Sequence, residues 1–376
     1  MAITYASVPE QYARVQKNMK AEKLDAIIAL SMENFYWLSN AYVTTMQSIP
    51  DRLGAVISIA DEDPVLLTCS IEKSLVVEDS WIKDVRTYEE FQESPIAIIA
   101  EILRQKGLQR ARIGLEMDYI VARFYDELKR ELPEVELVDV SRLFLLMRMV
   151  KTPREIEILS HAAFATERAM TEGFFHARMG EKEADVLNDI IIRTLQSGGV
   201  EPNGSFGAGP KSAIAHPIAD DTPLKYGQIV SVDFGACFKG YYSDIGRTAV
   251  VGKSNARQNK IYTSLYDVQR RVIDKIRPGV KASELYYTCI EGLHKAGIDL
   301  SLSHCGHGLG LGLHELPIFS PLCDIPIEEN MIVNVEPFYV TDEGYHSEDS
   351  MLVTKDGVRL LSTYHDHSQI LEIPEA

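Results

Sequence analysis

The stretch Ser303-His304-Cys305-Gly306-His307-Gly308-Leu309-Gly310-Leu311-Gly312-Leu313-His314-Glu315-Leu316-Pro317 restricts the fold more than any other, because every second residue from Gly306 to Gly312 is glycine. Glycine weakens a strand and leaves one face bare, so something bulky can come close to the backbone. Two histidines of this run, His307 and His314, stand seven residues apart. His307 is expected to bind a metal and His314 to face a substrate beside it. A glycine-rich loop with incidental histidines is the alternative.

The first third of the chain alternates short apolar runs with helical patterns. Strands are expected at Leu24–Leu30, Leu53–Ala60, Pro64–Cys69, Asp84–Thr87, Arg112–Leu115 and Val135–Val140. Helices are expected at Pro9–Lys23, Pro95–Lys106 and Tyr119–Glu131. Such alternation indicates an α/β sheet covered by helices. No GxGxxG follows a strand, so a nucleotide fingerprint is lacking. The aromatic cluster Asn34-Phe35-Tyr36-Trp37-Leu38 reads as core packing, with ligand contact as the alternative.

A boundary falls near residue 150, dividing the chain into residues 1–150 and 151–376. Thr152-Pro153-Arg154-Glu155 is a capping box with proline at the first helical position. The helix it opens carries Ile156, Leu159, Ala163 and Met170 on one face, interrupted by Thr166. A second helix, Glu181–Gln196, stops at Gly198-Gly199. Gly204–Pro223 reads as a loop around His216. Strands follow at Ile229–Phe234 and Tyr241–Val251, helices at Ala256–Ile276 and Ser283–Lys295, and strands at Met331–Val335 and Ser350–Thr354.

At 376 residues the chain is long enough for two domains, each with its own core. A formal charge of -17 argues against nucleic acid as a partner, since phosphate binding needs a positive surface. The five cysteines are scattered, without CxxC spacing, and read as reduced thiols of a cytoplasmic protein. Met1-Ala2-Ile3-Thr4-Tyr5 has neither a basic nor an apolar segment of a signal peptide. No apolar run is long enough to cross a membrane.

Val230-Ser231-Val232-Asp233-Phe234-Gly235 and Tyr242-Ser243-Asp244-Ile245-Gly246-Arg247-Thr248 flank a turn near Lys239-Gly240. In a hairpin, Asp233 and Asp244 would sit roughly opposite each other, with cross-strand Cβ atoms about 5 Å apart. Two carboxylates that close repel, and one takes a proton unless a cation lies between them. Asn334-Val335-Glu336-Pro337 ends an apolar strand with a glutamate, and Ser347-Glu348-Asp349 opens another. Asp233, Asp244, His307, Glu336 and Glu348 together make an oxygen-rich set suited to two divalent ions of the manganese, cobalt, iron or zinc kind.

The order Asp, Asp, His, Glu, Glu, with the segments VDFGA, GYYSDIGRT, GHGLGLGLHELP, VNVEP and SEDSMLVT, resembles the methionine aminopeptidase, prolidase, aminopeptidase P and creatinase superfamily. The run Arg148-Met149-Val150-Lys151-Thr152-Pro153-Arg154-Glu155-Ile156 is similar to the junction after the N-terminal domain of its two-domain members. The resemblance covers the whole chain and implies an α+β protein, a C-terminal pita-bread fold preceded by a smaller creatinase-type α/β domain. It implies that Asp233 is bidentate to one ion, that Asp244 and Glu348 bridge both, and that His307 and Glu336 each bind one. Glu336 matches the family's general acid/base, His314 a histidine near the scissile carbonyl, and His216 the other active-site histidine. The implied reaction is hydrolysis of the amide bond before proline in Xaa-Pro dipeptides or peptides, by a hydroxide bridging two ions, manganese first, with cobalt, zinc or iron as alternatives. The resemblance also implies a homodimer.

Three positions depart from the family pattern. Many prolidases carry arginine where this chain has Ile318, another arginine where it has His346, and threonine where it has Gly246. A neutral anchor weakens recognition of a free carboxylate. This shifts weight toward a longer peptide or another small amide, so a metallohydrolase of a non-peptide amide on the same scaffold is the second reading. A binding module that has lost catalysis is the third, and the intact ligand set speaks against it.

Overall fold

The computed structural model describes residues 9–49 and 51–375; the N-terminal pentapeptide Met1–Tyr5 lies outside the described residues. The chain up to Met147 forms one compact unit and Arg148 onward forms another.

The first unit is built on strands β1 (Ala26–Ala29), β2 (Ala55–Ile59), β3 (Val65–Cys69), β4 (Asp84–Tyr88), β5 (Arg112–Leu115) and β6 (Glu136–Asp139), ordered β4-β3-β2-β1-β5-β6. Helices Lys73–Asp79 and Ala122–Glu131 cross over between the parallel pairs β3/β4 and β5/β6, a connection that parallel strands require. Strands β1, β2 and β3 are buried along their whole length, so helices cover both faces, whereas the edge strand β6 exposes Glu136 and Asp139. Helix Pro95–Gln105 supplies Ile96, Ile99 and Leu103 to this core. The aromatic cluster lies in helix Met32–Ser39 with Phe35 and Trp37 buried, which is the core role.

The second unit repeats one plan twice. Two helices, Pro153–His176 and Glu183–Gln196, precede β7 (Val200–Ala208), β8 (Ile229–Phe238), β9 (Tyr241–Tyr242) and β10 (Ile245–Val251). Two more, Ala256–Lys275 and Ala282–Lys295, precede β11 (Gly306–Gly308), β12 (Glu315–Ile318), β13 (Ile332–Val335), β14 (Phe338–Val340), β15 (Gly344–His346), β16 (Asp349–Thr354) and β17 (Gly357–Leu360), with β18 (Leu371–Ile373) last. One sheet is ordered β18-β10-β8-β7 and the other β12-β11-β13-β16-β17. The first helix begins on the expected capping box, Thr152 accepting from the Glu155 amide and Glu155 from the Thr152 amide. The core of this unit gathers Leu265, Val272, Leu285, Val333 and Met351, among others, between the second helix pair and its sheet.

Three local expectations are corrected. Residues 204–208 of the presumed loop belong to strand β7, paired with β8, and only the part beyond residue 213 is irregular. The alternating-glycine run is extended only at Gly306–Gly308 and then turns. A Cβ at Gly306 would lie 2.3 Å from the Asn334 carbonyl oxygen, and one at Gly308 would lie 2.2 Å from that of Leu316. The neighbours that come close are therefore adjoining backbone. Lastly, Asp233 pairs in register with Gly246, not with Asp244.

Candidate metal centre and active site

Two antiparallel strand pairs bring the carboxylates together. Asp233 lies within β8, and Asp244 immediately precedes its partner β10. Glu336 immediately follows β13, and Glu348 immediately precedes that strand's partner β16. Although the register sets Asp244 two residues from the position opposite Asp233, the Asp233 charge still reaches the Asp244 carboxyl and helps to raise it. His307 enters from β11, paired with Asn334 of β13, and is fully buried.

The His307 ring is oriented by its Nδ1–H, which donates to the Gly308 carbonyl at 2.9 Å. Its Nε2 is buried without a hydrogen-bond partner. Three carboxylate oxygens surround that nitrogen at nearly one distance: Asp244 Oδ2 at 3.6 Å, Glu336 Oε1 at 3.5 Å and Glu348 Oε1 at 3.5 Å. These separations are too long for good hydrogen bonds. Two donor atoms that share a tetrahedral ion at ordinary bond lengths lie about 3.4 Å apart. The orphaned nitrogen and its ring of oxygens thus fit a divalent cation, as does the oxygen-rich donor set. Three overlapping groups of donors, Asp244/His307/His314, Asp233/His346/Glu348 and His307/Glu336/Glu348, each have ligand atoms within 4.8 Å of one another.

The electrostatics agree. Burial, then Glu348, Asp233 and Glu336, push the Asp244 carboxyl well above its ordinary range. Burial also raises Glu348, with Glu336 and Asp233 adding to it against His307. Burial opposes a charged His307, but Glu348 and Glu336 outweigh it and raise that imidazole. Without a cation, protons hold this cluster together. Glu336 behaves differently: burial would raise it, yet His304, His307 and His346 hold it at about 2.

His314 stacks on His307, with ring centroids 3.9 Å apart and planes inclined at 20°. Burial, then His307 and His304, lower it to about 4, so it is neutral near pH 7. His216 lies in the exposed segment after the short turn of residues 209–213. It borders two adjoining cavities, of about 520 Å³ and 270 Å³, that share Ser205, Pro217, Asp233, Asp244 and His314. The smaller one is lined further by apolar and aromatic groups such as Ile214, Phe338 and Tyr345 and by polar ones such as Ser231, His304 and His346, and it opens onto Glu336. Neither cavity has Lys or Arg among its lining residues, and Ile318 lines neither.

Several contributors lie outside the expected set of site residues. His304 Nε2 lies 3.1 Å from Glu336 Oε1. His346 Nε2 lies 3.9 Å from Glu336 Oε2 and 3.8 Å from Glu348 Oε2. Asn334 Nδ2 donates to Glu348 Oε1 at 2.8 Å and to the Asp244 carbonyl at 3.0 Å, tying an acidic residue of each sheet to one amide. Gln269 Nε2 donates to the carbonyls of Val335 and Ser347 at 3.0 and 3.1 Å, the residues just before Glu336 and Glu348. Its signal was available: Gln269 is a polar residue one step beyond Val268 in an apolar helical stripe with Leu265 and Val272. Thr166, the polar interruption on the first helix, lies 2.6 Å from the Ser243 hydroxyl and so braces the residue before Asp244.

Residues 157–355 match the model of metallopeptidase family M24, and residues 11–150 match the creatinase/prolidase N-terminal domain. A Xaa-Pro dipeptidase of Pyrococcus horikoshii is 27% identical over 358 residues, covering 94% of this chain and 97% of that one. One from Lactobacillus helveticus is 28% identical over 369 residues, covering 95% and 99%. The crystal structure of the prolidase from Pyrococcus horikoshii superposes with a TM-score of 0.83 at 26% identity, over 95% of this chain and 99% of that one.

Proposed function

This chain belongs to metallopeptidase family M24 and carries a creatinase/prolidase N-terminal domain, and from that premise we propose that it hydrolyses the amide bond before proline in Xaa-Pro dipeptides or peptides. Residues 151–376 form the catalytic domain in this reading and residues 1–150 the accessory one. Asp233, Asp244, His307, Glu336 and Glu348 would hold two divalent cations, manganese first, with cobalt, zinc or iron as alternatives. When bound, such cations polarise the scissile carbonyl and make a water acidic enough to attack it at neutral pH. The observation that carries the reading is the unpartnered His307 Nε2 ringed by three carboxylate oxygens at 3.5–3.6 Å.

The chain's own groups then divide the work. Glu336, ionised near pH 7 and beside His304, takes the proton of the attacking water and passes it to the leaving nitrogen. Neutral His314 donates a hydrogen bond to the carbonyl oxygen as charge develops there. His216, on the wall shared by both cavities, contacts the substrate backbone. The smaller cavity, with Phe338, Tyr345 and Ile214, offers an apolar seat for a pyrrolidine ring.

The five cysteines are all free, which supports a reducing, cytoplasmic setting. Among the described residues no helix is long and apolar enough to cross a membrane. A homodimer is proposed by analogy with the family. The test is turnover of Xaa-Pro dipeptides and Xaa-Pro-Pro peptides by protein loaded with manganese and checked for metal by elemental analysis. Bound metal with no turnover of either would overturn the reading. The cavities without Lys or Arg favour, as a second reading, a small non-peptide amide without a free carboxylate, and a screen of such amides separates the two.

A further inference from the structure

Two of the three departures from the family pattern lie against each other. A Cβ at Gly246 would stand 2.6 Å from His346 Nδ1, 2.7 Å from Cε1 and 2.8 Å from Cγ. The imidazole therefore rests on the bare Cα, and a side chain at 246 would drive it away. Its backbone is clasped as well. The His346 amide donates to Thr248 Oγ1 at 2.8 Å, and that hydroxyl donates back to the His346 carbonyl at 2.8 Å. The ring also stands at right angles to that of Phe338, centroids 6.5 Å apart. So fixed, the ring points its Nε2 into the carboxylate cluster, where that atom is buried and has no hydrogen-bond partner.

The arrangement mirrors that of His307. Glu336 and Glu348 turn their Oε1 atoms toward His307 Nε2, both at 3.5 Å, and their Oε2 atoms toward His346 Nε2, at 3.9 and 3.8 Å. Donor atoms of Asp233, His346 and Glu348 lie within 4.8 Å of one another. We propose that His346 is a metal ligand, giving the second cation an imidazole through Nε2 with Asp233 and Glu348, and that Gly246 is the vacancy that lets it reach. One histidine then serves each cation, with the two glutamates presenting an oxygen to each side. A site with two nitrogen donors favours softer divalent ions more than one with a single imidazole does.

The inference rests on the metallopeptidase reading and extends it. Its test is X-ray absorption on the protein loaded with two equivalents of cobalt(II), where outer-shell scattering counts imidazoles per ion. The expected result is an average of one ring per cobalt, falling to half a ring in His346→Ala and in Gly246→Val. Titration calorimetry on His346→Ala should show one of the two binding events weakened by about 10- to 100-fold. Half a ring per cobalt in the unmodified protein would overturn the assignment and leave His346 a charge partner of the glutamates. That measurement needs no variant to fold. Failure of the unmodified protein to bind cobalt at all would instead overturn the metallopeptidase reading, and this inference with it.

Discussion

The residue after His314 offers a sharp test of how the site is held. Glu315 is buried, with Arg148 Nη2 2.9 Å from one carboxylate oxygen and Lys151 Nζ 2.8 Å from the other. It also accepts from the Gly312 amide at 3.0 Å, which pins the turn between the two histidines. Burial would raise its carboxyl, but Arg148 and Lys151 lower it from 4.5 to about 2. At about 1.4 kcal/mol per pH unit, that displacement favours the folded, charged form by about 3 kcal/mol. Removing one partner of a buried pair typically costs about 3–5 kcal/mol, which agrees. Glu315→Gln keeps the shape but turns an amide donor toward two cations. Scanning calorimetry of the metal-free protein at pH 7 should find its unfolding lower by about 6–12 °C, at about 2–4 °C per kcal/mol for a unit of this size. The lowered carboxyl contributes its stability fully above pH 4.5 and loses it as pH falls toward 2, so the gap between variant and parent should close over that range. A shift under about 2 °C at pH 7 would refute the argument that this triad anchors the histidine turn.

Two further outcomes follow from the site. Because Asp244, Glu348 and His307 are all raised without a cation, metal uptake should expel protons, more of them at pH 6 than at pH 8. Calorimetry in buffers of different ionisation enthalpy measures this, and heats independent of buffer would contradict it. Replacing Gln269 with leucine removes the donor shared by the Val335 and Ser347 carbonyls. It should cost about 1–3 kcal/mol of stability and weaken metal binding about 10-fold or more, and an unchanged binding isotherm would show that those carbonyls need no clamp.

The helices and strands were legible where a local rule governs them. The box of Thr152 and Glu155 marks a helix start through contacts within one turn. The apolar runs of β1 to β3 are unambiguous because both faces are buried. Residues 204–208 resemble a loop because Gly204 and Gly207 suggest one, whereas a Cβ at Gly204 would meet the Asp233 carbonyl at 2.4 Å. Glycine there serves close strand pairing, which only the tertiary structure reveals. Asp233, Asp244, Glu336 and Glu348 could be singled out because four carboxylates in or beside apolar strands are unusual as a set, and His307 because it sits among alternating glycines. His304 and Asn334 could not, since each acquires its part only when distant strands meet, and His346 stands out only as a departure from the family pattern. His346 and Gly246 look like two unrelated oddities in one dimension and like a matched pair in three.

The repeated plan of the second unit carries its own implication. Arg178, Gly180 and Lys182 stand before the second helix of the first half as Arg277, Gly279 and Lys281 stand before that of the second. Both glycines have φ near +90°, and both lysines form an isolated bridge to a proline, Pro223 or Pro326. Each half also brings two acidic side chains on one antiparallel pair, Asp233 with Asp244 and Glu336 with Glu348. A single half, duplicated and turned to face its copy about a two-fold axis, would already place four acids around one point. Because one polypeptide carries both halves, the two need not match, and the glycine-histidine strand stands in the second half alone.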